Sequence, residues 1–275
     1  MMAADADVEP FARLIESLHP WLSQVVIIGG WAHRLYRLHP LAQPLDYEPL
    51  GTLDTDIAIP AQLLATGPGI RECLLEGGFQ EELLGDARPP VAHYRVATGN
   101  SGFYAEFLTP LAGSELKRGS RRDETVHIAG IFAQKLRHLD LLLKALWEVE
   151  IGAANGYPTR AIRHVRLPNP AAYLAQKMLI HGKRDHTDRA KDVLYIHDTI
   201  ETFGRNLPAI REAWKMKVRP ALHARAARQV EQAGIAFFRE TNDSIREAAL
   251  IGTGRNLSPE MVREVCTYGW QQIFS

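Results

Sequence analysis

Apolar residues at the start of the chain recur at helical spacing: Val8, Phe11, Leu14, Ile15 and Leu18 predict an amphipathic helix over 8–18, closed by Pro20. The next run, VVIIGG (25–30), is β-branched, apolar and ended by two glycines, the pattern of a buried strand meeting a tight turn. WAHRLYRLH (31–39) predicts a short helix stopped by Pro40, and PLAQPLDYEPL (40–50), with three prolines, predicts a long loop. In LDTDIAIP (53–60), Leu53, Ile57 and Ile59 alternate with small or polar residues, as in a strand. A helix over 60–77 is expected to end at Gly77-Gly78, and strands over 91–98 and 103–108 to meet through the hairpin-like turn Gly99-Asn100-Ser101-Gly102. The apolar spacing of 131–146 predicts a further helix, and Asn155-Gly156 a turn between strands at 147–151 and 161–167. Asn169-Pro170 has the form of an N-cap followed by proline at the first helical position. Beyond it only helical patterns follow, with another start at Ser258-Pro259-Glu260. The pattern predicts a mixed α/β half, of the α+β type, followed by an all-helical half, with domains at 1–168 and 169–275.

Composition narrows the partners. The chain has 275 residues, 46% of them hydrophobic, which is ample for a core. Lys plus Arg and Asp plus Glu number 32 each, so there is no overall basic excess of the kind a dedicated nucleic-acid binder carries. Cys73 and Cys266 are far apart and in no CxxC pair, which argues against a disulfide framework or a cysteine zinc site. The first residues, MMAADADVEP, lack a secretory pattern, and no apolar stretch approaches the roughly 20 residues that span a bilayer. A cytoplasmic protein without membrane contact is expected.

Three features carry candidate chemistry. Gly29-Gly30 lies between a strand and a helix, where glycine lets the backbone approach a ligand and helix N–H groups face a phosphate. Asp54 and Asp56 lie two apart on a strand, so both carboxylates share a face, an arrangement that a divalent cation stabilises. Glu106, in FYAEFL, is an acid in an apolar strand; it shares a face with Tyr104 and Leu108, and calls for a partner, a metal or an edge position. Taken singly, each also fits an ordinary turn, a solvated strand start or an edge strand.

Together, strand–GG–helix, a strand opening DxD and an acid on a later strand resemble the nucleotidyltransferase superfamily. GGWA followed by TLDTDIAI is similar in particular to the lincosamide and aminoglycoside nucleotidyltransferases. The resemblance implies a mixed sheet flanked by helices, with Asp54, Asp56 and Glu106 as catalytic metal ligands of a two-Mg²⁺ site. It also implies that Gly29-Gly30 holds the triphosphate of an NTP, and it allows Glu106 to be a general base instead. Two departures stand out: Gly30 replaces the serine usual in the family, and Gly30 and Asp54 are 24 residues apart, more than the usual spacing. The extra loop is expected beside the active site, shaping or covering an acceptor pocket.

PNPAAYLAQKMLIHGKRDHTDRAKDVLYIHD (168–198) resembles the helical region of abortive-infection nucleotidyltransferase toxins, part of toxin–antitoxin-like systems. That resemblance implies Lys177 and Arg184 as nucleotide-binding cations; seven apart, they share a face if the helix runs that far. Asp188 and Lys191-Asp192 would complete the network. The basic run 211–228 fits an RNA backbone or the wet face of a helix. The expected reaction is transfer of a nucleoside monophosphate from an NTP to a hydroxyl of a small molecule, a tRNA or other RNA end, or a protein, with release of pyrophosphate. The alternative is a catalytically silent nucleotide- or partner-binding module of the same fold.

Overall fold

Alternation and glycine punctuation in the first half build a sheet, and capped amphipathic stretches in the second half build helices. In the computed structural model, residues 7–64, 67–85, 90–96, 102–113, 124–252 and 254–275 are described. The chain divides into two compact units: Met1–Ala32 with Gly51–Leu167, and His33–Leu50 with Pro168–Ser275.

The first unit holds a seven-stranded mixed sheet: β1 Val26–Ile27, β2 Asp54–Ala58, β3 Phe79–Leu84, β4 Val91–Val96, β5 Tyr104–Pro110, β6 Thr125–Ile128 and β7 Ile131–Leu136. Its path runs β1-β2-β5-β4-β3, with β7 on β5 beyond the end of the β4 pairing and β6 on β7. β2 and β5 are parallel neighbours, and β4 runs antiparallel to β5 on the other side. A separate hairpin pairs β8, Trp147–Ile151, with β9, Arg163–Leu167. Helix α1 (Val8–Ser17) turns Phe11, Leu14 and Ile15 inward, and Phe11 stacks on Trp31 with ring centroids 3.7 Å apart. Trp31 belongs to α2 (Gly29–Leu35), so the helix after the glycines is fixed by its aromatic face. α3 (Ile70–Glu76) and the single turn α4 (Leu139–Leu142) complete the unit.

Two expected helices are corrected. Among the described residues of the segment 60–77, the helix is confined to α3. The segment 131–146 forms β7 and then α4, divided at His138, which has a left-handed backbone (φ 62°). Ile131, Phe132, Leu136 and Leu139 satisfy a helical period, but pairing with β6 through the two-residue turn Ala129-Gly130, and with the more distant β5, supplies the hydrogen bonds that decide for a strand. Strands β3 and β6 were not signalled by alternation. The expected turn at 99–102 lies outside the described residues except for Gly102.

The second unit contains α5 Pro170–Ile180, α6 His186–Thr202, α7 Leu207–Ala213, α8 Ala224–Phe237, α9 Asp243–Ile251 and α10 Pro259–Phe274. Asn169 accepts the Ala171 N–H and Ser258 that of Met261, so both expected caps form. Gly234 of α8 is required by packing, because a Cβ there would meet the Trp270 ring of α10 at 2.1 Å. The proline-rich loop 40–50 belongs to this unit and is tied to α6: the Gln43 N–H donates to the Thr202 carbonyl at 2.8 Å, and Gln43 Nε2 to that of Glu201 at 2.7 Å. Among the described residues, no helix is long and apolar enough to cross a membrane.

Candidate active site

β2 sets the site by alternation. Thr55 and Ile57 are buried, while Asp54 is exposed and Asp56 half-buried, so the two aspartates share the open face. Parallel pairing then places Tyr104 beside Asp54 and Glu106 beside Asp56. The structure thus brings together three of the expected residues, and Gly29 is the fourth. It adopts φ 62°, and a Cβ added to it would stand 2.2 Å from Asp56 Oδ2. The Ile28 N–H, just before it, donates to the Asp56 carbonyl at 3.0 Å. Gly30 follows in the first turn of α2.

β4 adds residues that the sequence reading missed. His93 is paired with Glu106 and Arg95 with Tyr104. His93 Nε2 lies 3.3 Å from Glu106 Oε2, and the His93 ring stacks on Tyr104 at 4.3 Å. Arg95 sits over the same tyrosine, 5.1 Å from the ring centroid, and pairs with Glu82. The available signal was the alternation in VAHYRV, with Ala92 and Tyr94 buried and His93 and Arg95 opposite. Which acid His93 would face depends on register, which alternation alone does not contain.

The electrostatics are those of a crowded anionic site. Burial works to raise the Glu106 pKa, but hydrogen bonds with His93 and Asp56 outweigh it and hold the group below the usual carboxylate range. Burial pushes the Tyr104 phenol up to about 12, helped by Asp54, Glu106 and Asp56. The Thr52 hydroxyl donates to the Asp54 carboxylate. Adjacent carboxyl groups on one face must share a proton or a cation. All three donors are hard oxygens, the set that Mg²⁺ prefers, so these residues fit such an ion.

Lys177 and Arg184 belong to the second unit. The helix does not run through both: α5 ends at Ile180, and Arg184 has an extended backbone after the short 3₁₀ turn His181–Lys183. Both nevertheless meet on Asp192 of α6, Lys177 Nζ at 2.5 Å from Oδ1 and Arg184 Nε at 3.3 Å from Oδ2. Arg184 also pairs with Asp188 at 3.3 Å. Lys177 is buried between the Tyr173 and Tyr195 rings, 4.9 and 4.7 Å from their centroids.

Further along α6, His197, Asp198 and Glu201 bring one ligand-type atom each within 4.8 Å of one another. Asp198 is already gripped by both Arg255 nitrogens, at 2.6 and 2.8 Å, and by His197 Nδ1 at 2.9 Å. The Tyr47 hydroxyl donates to Glu201 Oε2 at 2.6 Å. With a guanidinium on the central carboxylate, this is a buried ion network that anchors the 40–50 loop, and a second cation there would be repelled.

A family model described as nucleotidyltransferase matches residues 6–219, spanning the sheet, the acid site and α5 to α7. The chain belongs to this nucleotidyltransferase family, and is an enzyme of that class. No curated protein and no solved structure matches it.

Proposed function

We propose that the chain is a Mg²⁺-dependent nucleotidyltransferase that moves a nucleoside monophosphate from an NTP to an acceptor hydroxyl and releases pyrophosphate. The observation that carries this reading is the placement of Glu106 beside Asp56 across the parallel β2–β5 pair, with Asp54 on the same face. Asp54, Asp56 and Glu106 would hold the metal, which supplies charge neutralisation at the phosphates and a lowered pKa at the acceptor oxygen.

The chain's own residues do the rest. The Gly29-Gly30 backbone gives the triphosphate a side-chain-free approach next to Asp56. The acceptor oxygen attacks the α-phosphorus in line, the bond to the β-phosphate oxygen breaks, and pyrophosphate leaves with that electron pair. Glu106, kept ionised by His93, is also competent to take the acceptor proton. Positioning of the two reactants contributes most of the acceleration. The same proposal assigns Lys177 and Arg184 to nucleotide phosphates; Arg184, with 39% of its side chain exposed, is the more accessible.

The test is incubation of the full chain with each α-labelled NTP, Mg²⁺ and separate pools of metabolites, RNA and protein. Label should move to one pool, naming the acceptor class, and Asp54→Ala and Asp56→Ala should abolish the transfer while folding normally. Wild-type turnover by either variant, or no transfer to any pool, overturns the proposal.

A further inference from the structure

His93 is held from two directions. Its Nε2 is 3.3 Å from Glu106 Oε2, with the two side chains only 16% and 21% exposed. Its ring lies nearly parallel to that of Tyr104, at 14°, so rotation about the ring bond is blocked. Its other nitrogen, Nδ1, is buried and makes no hydrogen bond. Those contacts fix the neutral tautomer. A proton on Nδ1 would be a buried unsatisfied donor and would turn the bare Nε2 lone pair toward a carboxylate oxygen. A proton on Nε2 satisfies Glu106 and leaves only an acceptor unpaired.

We propose that His93 is a positioning residue for Glu106: its Nε2–H, oriented by the Tyr104 stack, fixes the Glu106 carboxylate beside Asp56. The inference rests on the acid-site reading above. A glutamate has several rotatable bonds, and its place in a metal site depends on partners that select one rotamer. β4 supplies that partner through register alone, because His93 and Glu106 are paired across the strands. The ring touches Glu106 and Tyr104, and acts on the reaction through Glu106.

Mn²⁺ is the probe, titrated into the full chain and followed by the electron paramagnetic resonance of the free ion. His93→Phe keeps a ring over Tyr104 and removes the donor; His93→Gln keeps an N–H donor and removes the stack. His93→Phe should weaken Mn²⁺ binding by roughly 10–100-fold, the usual effect of losing a partner behind a metal ligand. It should also lower kcat with the NTP KM little changed, and His93→Gln should recover most of both losses. Should His93→Phe fail to fold, His93→Asn, whose shorter amide falls short of Glu106, replaces it with the same expectation. Mn²⁺ binding that is lost in Asp56→Asn but wild-type in the donor-less variant overturns the positioning role alone. A wild type that binds no Mn²⁺, or no better than Asp56→Asn, overturns the acid-site reading and this role together.

Discussion

Gly29 stands so close to Asp56 that a Cβ on the glycine would lie 2.2 Å from the carboxylate oxygen Oδ2. No rotation of a side chain at 29 relieves this, since the Cβ position is set by the backbone. The left-handed φ of 62° adds about 1–2 kcal/mol for any residue with a Cβ. Gly29→Ala is therefore expected to lower stability by at least that amount in urea denaturation. It should also displace Asp56, and a shift of about 1 Å in a reacting constellation costs roughly 10²-fold in rate. A variant with wild-type transfer would show that Asp56 need not be where the glycine allows it.

Asp56→Asn tests the acid pair from the other side. The backbone bond from Ile28 N–H to the residue-56 carbonyl is independent of the side chain and survives the change. Removal of one of two adjacent carboxylates relieves like-charge repulsion. Urea midpoints should be unchanged or higher, with any loss below about 0.5 kcal/mol, while nucleotidyl transfer disappears. Loss of stability and activity together would mark Asp56 as a structural residue.

Local chemistry made much of this site legible. Alternation in LDTDIAIP puts Asp54 and Asp56 on one face, and VVIIGG announces the strand and the glycine turn. That Glu106 joins the two aspartates was implied by the family resemblance; its pairing with Asp56, 50 residues away in the chain, depends on β2–β5 register, which no local pattern contains. His93 was invisible for the same reason. β7 was misread because a short apolar run carries both periods, and β3, in FQEELL, because the half-buried position after Gln80 is taken by Glu81, which accepts from the Tyr94 hydroxyl, so no apolar alternation shows. The anchoring of the 40–50 loop by Gln43 and Tyr47 has no local signature: their partners Glu201 and Thr202 lie more than 150 residues on.

The Lys177–Asp192 pair should respond asymmetrically. Asp192→Ala leaves a buried ammonium without its carboxylate, which costs about 3–5 kcal/mol. Lys177→Met should cost less, because Arg184 still faces Asp192 at 3.3 Å. Arg184→Ala, on a side chain 39% exposed, should change stability by about 1 kcal/mol or less. It should nonetheless raise the NTP KM; an unchanged KM removes Arg184 from the nucleotide site.

His33 gives the fold an acid-sensitive point. The ring is fully buried, neither nitrogen makes a hydrogen bond, and Nε2 is 3.9 Å from Asp198 Oδ2. Burial depresses its pKa to about 4, against the pull of Asp198 and with the help of Arg37, Lys177 and Arg255. The folded chain thus refuses a proton that the unfolded chain accepts at its ordinary value of 6.5. Stability from this group is complete above about pH 6.5 and is lost as pH falls toward 4, by an amount on the order of 3 kcal/mol. Asp198 is itself held well below the carboxylate range: burial opposes this, but hydrogen bonds from His197 and Arg255 prevail, so its share is lost only in stronger acid. Urea midpoints measured from pH 7 to pH 4 should fall steeply in the wild type and more gently in His33→Gln, which carries no titratable group there. Parallel pH profiles would mean that His33 accepts its proton as readily folded as unfolded.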